Sequence, residues 1–309
     1  MRVLVTGGAG FIGSHVVDLL LENGHDVSVV DNLVSGKEAN VPKGAKFYKA
    51  DIKDASALRK IFKNAKPEAV LHFAAQKSVT HSVKDPVYDA EENIIGTLTL
   101  AEVAREFGVK RFLFASTGGA LYGETPSPAK EDWPALPESP YGIAKLAIEH
   151  YLRFYAGTHG FQATVLRLAN VYGPRQDPQG EAGVMAIFCT RVRDDQPLTV
   201  YGDGKQTRDY VYVKDVARAF LSALEATDNL TVNIGTAIES SVLDLTSILA
   251  KVAGKTVRLN HEAPRPGELR RSVLDFTKAQ QLLGWQPSYE LEKGIEETHR
   301  SFVDGISAP

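Results

Sequence analysis

The sequence predicts an α/β protein: a doubly wound parallel sheet with a smaller α/β lobe towards its C-terminus. Two observations lead to this fold class. Short β-branched runs alternate with longer helical patterns in the first half of the chain, as the strand–helix–strand units of a parallel sheet do. These strands are almost continuously apolar, which is typical of strands covered by helices on both faces. The 309 residues suffice for one large domain and a smaller one.

The predicted elements follow one another regularly as far as about residue 173. The first strand leads into a segment whose apolar residues recur every three or four positions, which indicates an amphipathic helix. In order, the predicted strands of this part are RVLVT, DVSVVD, KFYKAD, AVLHFAA and RFLFAST. The longest helical segments are 88–107 and 139–159.

Beyond residue 173 the pattern becomes less regular. Helices there alternate with short strands, which are LTVYG, RDYVYV, TVNIG and TVRLN. We therefore predict a first domain over residues 1–173 and a smaller lobe over 174–309, and we allow the chain to cross between them.

The composition excludes several classes of protein. A net charge of -3 gives no indication of a nucleic-acid or anionic-membrane partner. No apolar run reaches the roughly 20 residues of a membrane span, and no signal-peptide cleavage region is apparent. The eight histidines lack metal-ligand spacing, so we expect no metal. The single cysteine, Cys189, excludes an internal disulfide and favours the cytoplasm; its apolar surroundings indicate a packed thiol rather than a nucleophile.

Three glycines between the first strand and the first helix predict a phosphate-binding loop. Gly7, Gly10 and Gly13 have the spacing of a dinucleotide-binding fingerprint. A tight turn, a close approach to a diphosphate and close helix–strand packing each exclude a side chain. The helix that follows directs its free N–H groups and positive dipole end at the phosphates. The first domain is therefore predicted to be Rossmann-like.

Asp31 ends the second predicted strand, about 20 residues beyond the fingerprint, where an acid can bind the adenosine ribose. A carboxylate there favours NAD, because it repels the extra phosphate of NADP. Two observations leave alternatives open: Lys37 is near in sequence, and a strand-terminal aspartate can simply cap a turn.

These residues occur within a longer series of motifs. The series continues with Asp51–Ile52, LHFAA, STGGALYG, SPYGIAK, NVYGPRQDP, GDGKQTRDYVYVKDV, APRPGEL and LGWQP. In this order the motifs resemble the extended short-chain dehydrogenase/reductases, and most closely the UDP-glucose 4-epimerases and their sugar-nucleotide relatives. The resemblance covers nearly the whole chain and implies NAD as cofactor and a UDP-sugar as substrate.

The resemblance implies that Tyr141 is the catalytic base and Lys145 its partner. Tyr-x-x-x-Lys occurs four times in the sequence, but only this pair lies on a helix that begins at a predicted N-cap, Ser139. A free phenol titrates near ~10, and we expect the ammonium and the positive nicotinamide to lower its pKa. The alternative is a surface tyrosine with a solvated lysine.

A hydroxyl at the end of the fifth strand is the expected third catalytic group. Many relatives place it four residues before the tyrosine of YG, but this chain has Gly118 there. We predict Thr117, with Ser116 as the alternate; either hydroxyl could instead bond to backbone. Related dehydratases carry an Asp–Glu pair after their threonine, whereas this chain has no acid in TGGALYG. Epimerisation needs only a base and a reversible hydride acceptor.

The resemblance also implies the other site residues. For the cofactor they are Gly7, Gly10, Phe11, Ile12, Gly13, Asp31, Asn32, Ser35, Gly36, Asp51, Ile52, Phe73, Ala74, Ala75, Lys77 and Asn93, with Tyr141 and Lys145. For the substrate they are Lys77, Thr117, Tyr141, Asn170, Tyr201, Arg208, Arg265, Glu268 and Ser272. The arginines suit phosphate binding, although surface ion pairs are the alternative.

Ser272 is predicted to border the sugar pocket. A small residue there leaves room for an N-acetyl group, so we expect the N-acetylated UDP-sugars to be accepted besides UDP-glucose and UDP-galactose. The alternative is a serine that faces solvent on a loop.

The sequence therefore predicts an NAD-dependent epimerase that interconverts UDP-glucose and UDP-galactose through a 4-keto intermediate. Another epimerase, reductase or dehydratase of the family, a net dehydrogenase and a non-catalytic NAD-sensing protein are the alternatives. The resemblance implies a homodimer formed through the long helices that begin near Tyr88 and Ser139.

Overall fold

The computed structural model of the protein describes residues 1–179, 183–265 and 267–305. The strands are β1 (Arg2–Thr6), β2 (Asp26–Asp31), β3 (Lys46–Lys49), β4 (Ala69–His72), β5 (Arg111–Thr117), β6 (Gln162–Leu168), β7 (Asn170–Tyr172), β8 (Leu198–Tyr201), β9 (Thr207–Tyr212), β10 (Leu230–Ile234), β11 (Glu239–Ser241), β12 (Leu259–Glu262) and β13 (Arg271–Ser272). The α-helices are α1 (Phe11–Glu22), α2 (Ala55–Ala65), α3 (Val79–Lys84), α4 (Pro86–Ala90), α5 (Gly96–Glu106), α6 (Pro140–His159), α7 (Val184–Arg193), α8 (Val213–Glu225), α9 (Val242–Ala253), α10 (Thr277–Leu283) and α11 (Leu291–Val303). A 3₁₀ turn spans Glu38–Asn40, and a π-helical turn, Glu91–Ile95, joins α4 to α5.

Seven parallel strands form the main sheet, in the order β10-β6-β5-β4-β1-β2-β3. The strand order reverses between β1 and β4, since β2 and β3 lie on one side of β1 while β4, β5 and β6 lie on the other. In a doubly wound sheet this switch point opens a crevice at the carboxyl ends of the strands, where ligands bind. The predicted fold class is confirmed.

Helices cover both faces of the sheet and build two cores. One core joins the strands to α1 and α8, with side chains such as Val17, Leu20 and Phe220 that are fully buried. The other joins them to α2, α5 and α6. Because both faces are covered, the central strands are apolar along their whole length, which is the pattern seen in the sequence.

The second lobe is built around two small sheets. In one, β9 pairs antiparallel with β11 and parallel with β13 and β7; in the other, β12 pairs with β8. A third core, formed largely by α7, α9 and α11 with β8 and β9, holds this lobe together.

One predicted strand of the second lobe lies elsewhere. TVNIG forms most of β10, which pairs with β6 at the edge of the main sheet, and α8 packs against α1. Placement in the second lobe is therefore wrong for this strand: Val232 and Ile234 are fully buried because they extend the apolar surface of the main sheet. Although β10 follows β7, β8 and β9 in the chain, it therefore belongs to the main sheet.

None of the helices in the described part of the chain combines the length and the apolar character that crossing a membrane would require.

Candidate active site

The loop between β1 and α1 has the geometry of a diphosphate cradle. Gly7 has φ +69°, and a Cβ there would lie 2.5 Å from the backbone nitrogen of Ala74. A Cβ on Gly13 would overlap the carbonyl oxygen of Gly7, so both positions require glycine. The N-cap of α1 is Gly10, and no side chain of the residues that the structure describes caps this helix. Its first-turn N–H groups, at Phe11, Ile12 and Gly13, are therefore left for an anion.

Asp31 lies at the carboxyl end of β2, beside this loop. It is 7 % exposed; its Oδ2 accepts the N–H of Ala9 (3.0 Å) and its Oδ1 accepts the N–H of Leu33 (2.8 Å). Gly36 packs against it, since a Cβ there would lie 2.9 Å from Oδ1. The carboxylate thus joins two loops, and each oxygen retains a lone pair for a ribose hydroxyl.

Asp51 and its neighbours form the next side of the cleft. Asn32 donates to Asp51 Oδ2 (3.2 Å), and Lys53 N–H donates to Asp51 Oδ1 (2.8 Å). Ile52 is buried against Gly96, where a Cβ would lie 2.8 Å from its side chain. Ser35 is exposed on the loop after β2.

The segment after β4 continues the cleft. Phe73 N–H donates to Thr6 O (3.0 Å), and the Phe73 ring lies 4.5 Å from that of Phe220, so one side of Phe73 belongs to the core. Ala74 and Ala75 follow, partly exposed, and Lys77 is exposed. Asn93 is buried in the π-helical turn and donates to Gln76 O (3.0 Å), which fastens this segment to the helices.

Tyr141 and Lys145 lie one turn apart on α6. Ser139 caps this helix by accepting the N–H of Gly142 (3.2 Å), as predicted. Lys145 is 4 % exposed, and its Nζ donates to Ala115 O (2.9 Å) of β5 and lies 5.7 Å from the centre of the Tyr141 ring. The structure thus brings the pair together against the strand that ends in Thr117.

The charges around this pair correct one expectation. Burial lowers the pKa of Lys145 to about 8, against the opposing effects of Asp89 and Glu149. The pKa of Tyr141 is raised, chiefly by burial and further by Asp89, whereas the sequence predicts a lowered one. In the protein without cofactor, burial therefore has the largest effect on the pKa of Tyr141, and it favours the neutral phenol.

The other three Tyr-x-x-x-Lys pairs lie later in the chain, and none of them lies within a single helix behind a serine N-cap as Tyr141 and Lys145 do. Tyr201 and Lys205 flank a turn, and Lys214 forms an ion pair with Glu297 (2.9 Å). Lys293 lies over the ring of Tyr289, at 5.2 Å from its centre.

The two candidate hydroxyls at the end of β5 have different surroundings. Ser116 is buried and donates to Glu149 Oε1 (2.6 Å), and Arg167 binds the same carboxylate (Nη2–Oε2 2.6 Å). Thr117 is partly exposed, and its Oγ1 accepts the N–H of Ala120 (3.2 Å). The Ser116 proton is thus already engaged on the core side of the strand, while Thr117 lies at the edge of the cleft.

Two of the predicted substrate residues, Asn170 and Ser272, lie beside the loop after β5. A Cβ on Gly119 would lie 3.7 Å from Asn170 Oδ1 and 4.0 Å from Ser272 Oγ. Ser272 is 7 % exposed in β13 and pairs in register with Arg208 of β9, so it is not on an exposed loop.

Arg208 and Arg265 occupy one side of this region, each in contact with another predicted substrate residue. Arg208 lies 3.8 Å from Glu268, and its Nη1 donates to Thr207 O (2.8 Å). The Arg265 guanidinium lies 4.0 Å from the centre of the Tyr201 ring.

Sequence reasoning missed two buried acids of the site. Glu149 follows Lys145 by four residues and Asp89 precedes Asn93 by four, so both share a helix face with a predicted site residue. This spacing is the signal that could have identified them.

Comparisons with known proteins agree with this geometry. The sequence profile of the NAD dependent epimerase/dehydratase family matches residues 3–235. A putative UDP-glucose 4-epimerase of Methanocaldococcus jannaschii is 46% identical over 296 residues, 95% of this chain and 96% of that protein. The chain belongs to the NAD dependent epimerase/dehydratase family, as the sequence predicts.

Two solved structures are similar over nearly their whole length. A UDP-glucose 4-epimerase of Thermotoga maritima with UDP-glucose has 50% identity and a TM-score of 0.96, covering 99% of both chains. A UDP-glucose 4-epimerase of Thermus thermophilus in complex with NAD has 47% identity and a TM-score of 0.95, covering 99% of this chain and 100% of that one.

Proposed function

We propose that this chain is an NAD-dependent epimerase that interconverts UDP-glucose and UDP-galactose through a 4-keto intermediate. The observation that carries the proposal is the pairing of Tyr141 with a buried Lys145, which is hydrogen-bonded to the strand that ends in Thr117. The similar enzymes from Thermotoga maritima and Thermus thermophilus support UDP-glucose as the substrate and NAD as the cofactor.

The residues of the first domain fit NAD. Gly7 and Gly13 leave the backbone of the first loop open, the uncapped start of α1 suits the diphosphate, and Asp31 suits the ribose. When bound, NAD supplies a reversible hydride acceptor. Tyr141 takes the proton of the sugar 4-hydroxyl and returns it, Thr117 orients that oxygen, and Lys145 holds the nicotinamide ribose.

The loop after Thr117 favours epimerisation over elimination of water. Residues 118–120 are Gly118, Gly119 and Ala120, so no carboxylate follows the catalytic hydroxyl. Elimination needs an acid and a base beside the sugar, whereas epimerisation needs only the transfers that Tyr141 and the cofactor provide.

The test is to incubate the purified protein with UDP-galactose and to resolve the products. We expect UDP-glucose to form without accumulation of NADH; accumulation would indicate a net dehydrogenase, and loss of water a dehydratase. Tyr141→Phe should reduce turnover by orders of magnitude while NAD still binds. Tyr151→Phe removes an exposed phenol from the same helix and serves as control. Near-normal turnover of Tyr141→Phe would refute the role of Tyr141.

The small residues at positions 272 and 119 support N-acetylated UDP-sugars as further substrates. Ser272 carries a small side chain, and a Cβ on Gly119 would lie 4.0 Å from its Oγ, so Gly119 adds no bulk beside it. Ser272→Tyr should suppress turnover of UDP-N-acetylglucosamine and largely spare UDP-galactose, because it adds a clash with one substrate only. Ser272→Ala, which keeps the space, should retain both activities. Equal loss on both substrates would show that Ser272 does not gate the pocket.

A homodimer through α6 and the helices beside it is supported by apolar side chains on the outer face of α6. Ile143, Tyr151 and Phe154 are 53%, 43% and 54% exposed and lie at helical spacing. Light scattering should give twice the mass of the chain, and Ile143→Glu should shift it towards the monomer. Val303→Glu, at an equally exposed apolar residue of α11, should leave the dimer intact.

We propose the cytoplasm as the location. The single cysteine, Cys189, is fully buried and unpaired, which suits a reducing compartment. Fractionation of cells that express the chain would test this.

A further inference from the structure

Asp89 is a buried carboxylate whose charge no cation contacts within the described part of the chain. It belongs to α4, which packs against α6, and it is 1 % exposed. Its Oδ1 accepts from the side-chain amides of Gln76 (2.7 Å) and Asn93 (3.0 Å), and both donors are neutral. Its Oδ2 is enclosed and has no hydrogen-bond partner among the described residues. Burial of a carboxylate in this way is costly, so a compensating charge should be near.

Lys145 is a buried ammonium, and no carboxylate among the described residues is in hydrogen-bond contact with it. Its Nζ donates to a backbone carbonyl and lies 4.6 Å from the centre of the Phe114 ring. Two carboxylates, Asp89 and Glu149, oppose the lowering of its pKa by burial. The charge of Glu149 is already balanced, because Arg167 forms a close ion pair with it.

We propose that Asp89 is the counter-ion that keeps Lys145 protonated inside the cleft. It is a positioning residue, since it acts on the reaction through Lys145 and Tyr141. The inference rests on the proposed function, in which a charged Lys145 holds the nicotinamide ribose and supports Tyr141 as base. Bound NAD adds a positive nicotinamide to the cleft, which increases the need for a nearby negative charge.

The charged and titratable groups around Lys145 show in which direction the Asp89 charge shifts the pKa values of Lys145 and Tyr141. Burial lowers its pKa to about 8, and Asp89 opposes this more strongly than Glu149 does. Asp89 also raises the pKa of Tyr141. His72 of β4 is buried and its pKa is lowered to about 3, by burial and by Lys145, so it stays neutral and contributes no charge. Removal of the Asp89 charge should therefore lower the pKa of both members of the pair.

Asp89→Asn tests the inference, since the amide oxygen can accept both hydrogen bonds of Oδ1 while the charge is lost. In the NAD-loaded enzyme we expect both limbs of the pH–activity profile for UDP-galactose to move by about one unit to lower pH, which is the low end of the effect of a nearby charge. Asp89→Glu keeps the charge and should keep the parent profile. An unmoved profile in Asp89→Asn would overturn the inference.

A second measurement separates this inference from the proposed function. The Lys145 ammonium can be titrated by NMR in protein with labelled lysine side chains, with its signal assigned by its loss in Lys145→Met. Its pKa should be lower in Asp89→Asn than in the parent, whether or not the protein turns over UDP-galactose. An equal pKa in both would overturn the inference, and failure of the parent to convert UDP-galactose would overturn only the function.

A matched control excludes a merely structural effect. Asp215 of α8 is also fully buried; it accepts the N–H groups of Ser288 (2.9 Å) and Tyr289 (3.0 Å) and, unlike Asp89, forms an ion pair with Arg218. Asp215→Asn should lower the melting temperature and leave the pH profile in place. If Asp89→Asn behaves in the same way, Asp89 is structural. If Asp89→Asn does not fold, Asp89→Ser removes the same charge and is read by the same two measurements.

Discussion

Alanine at Ser116 and alanine at Thr117 should have opposite consequences, although the two residues are neighbours in β5. Ser116 donates to the buried Glu149 carboxylate at 2.6 Å, on the core side of the strand. Thr117 is partly exposed at the cleft, and the one hydrogen bond that the described residues make to its side chain is donated by Ala120 N–H at 3.2 Å. We therefore expect Ser116→Ala to reduce stability and Thr117→Ala to reduce turnover.

The sizes of the two effects, on stability in Ser116→Ala and on turnover in Thr117→Ala, follow from these contacts. A hydrogen bond to a charged group contributes about 1.5–3 kcal/mol, so Ser116→Ala should lower the melting temperature by roughly 3–8 °C. Arg167 still neutralises Glu149 in that variant, which keeps the loss from becoming larger. Thr117→Ala removes one donor from the reacting oxygen, a change that costs about 10²–10³-fold in kcat at comparable sites. Its own hydrogen bond is long, so its melting temperature should change little.

Both variants are measured in the same two assays, thermal denaturation and turnover of UDP-galactose with NAD bound. Tyr141→Phe shows how much turnover is lost when the base is removed, and Thr117→Ala should lose less turnover than this. If Ser116→Ala loses more turnover than Thr117→Ala at a temperature where both are folded, Ser116 is the catalytic hydroxyl and the reasoning from Glu149 is refuted.

Two further predictions concern the cofactor and pH. Asp31 should make the protein bind NAD more tightly than NADP, by roughly 1–3 kcal/mol. Asp31→Asn should reduce this preference in a titration with each cofactor. If the parent binds both cofactors with equal affinity, Asp31 does not bind the ribose. Burial lowers the pKa of His72 to about 3 and that of His15 to about 4, so the unfolded chain binds more protons than the folded one below about pH 6.5. The free energy of unfolding should therefore fall as the pH falls from 7 to 5, by about 2 kcal/mol for each histidine. His72→Gln should make the melting temperature depend less on pH. A melting temperature that does not change between pH 5 and pH 7 would contradict the prediction.

The parts of the fold that could be predicted depend on local signals. Gly7, Gly10 and Gly13 mark the turn from β1 into α1, and Ser139 followed by Pro140 marks the start of α6. Gly10 and Ser139 are N-caps that act within a few positions of themselves, and the glycine spacing identifies the turn even though Gly7 also packs against the distant Ala74.

The parts that could not be predicted depend on partners distant in sequence. Ser116 engages Glu149, which lies 33 residues further along the chain, and only the folded structure brings them together. The apolar run of β10 would suit either sheet, so the sequence does not reveal that it pairs with β6. The pKa of Tyr141 follows from its burial and from Asp89, and neither can be read from the Tyr-x-x-x-Lys spacing.

Packing at Gly118 gives a reason for the displaced hydroxyl of this chain. A Cβ on Gly118 would lie 2.5 Å from one Cδ of Leu274 and 2.7 Å from the other. Leu274 is 1 % exposed, so its side chain is enclosed by the core and has little room to move away. A serine at position 118 therefore clashes, and the catalytic hydroxyl is expected one residue earlier, at Thr117.

This packing leads to a last prediction, about moving the hydroxyl. Gly118→Ser restores the hydroxyl position of many relatives, but it should lower the melting temperature, since overpacking of a core costs about 1–3 kcal/mol. Added to Thr117→Ala, it should not restore turnover of UDP-galactose. The double variant Gly118→Ser with Leu274→Ala makes room for the new side chain and should regain part of the lost stability, because the two sites are in contact. Full turnover in Gly118→Ser with Thr117→Ala would show that the Leu274 side chain moves to make room for the new serine side chain in this variant. The contact between position 118 and Leu274 would then not determine the position of the catalytic hydroxyl.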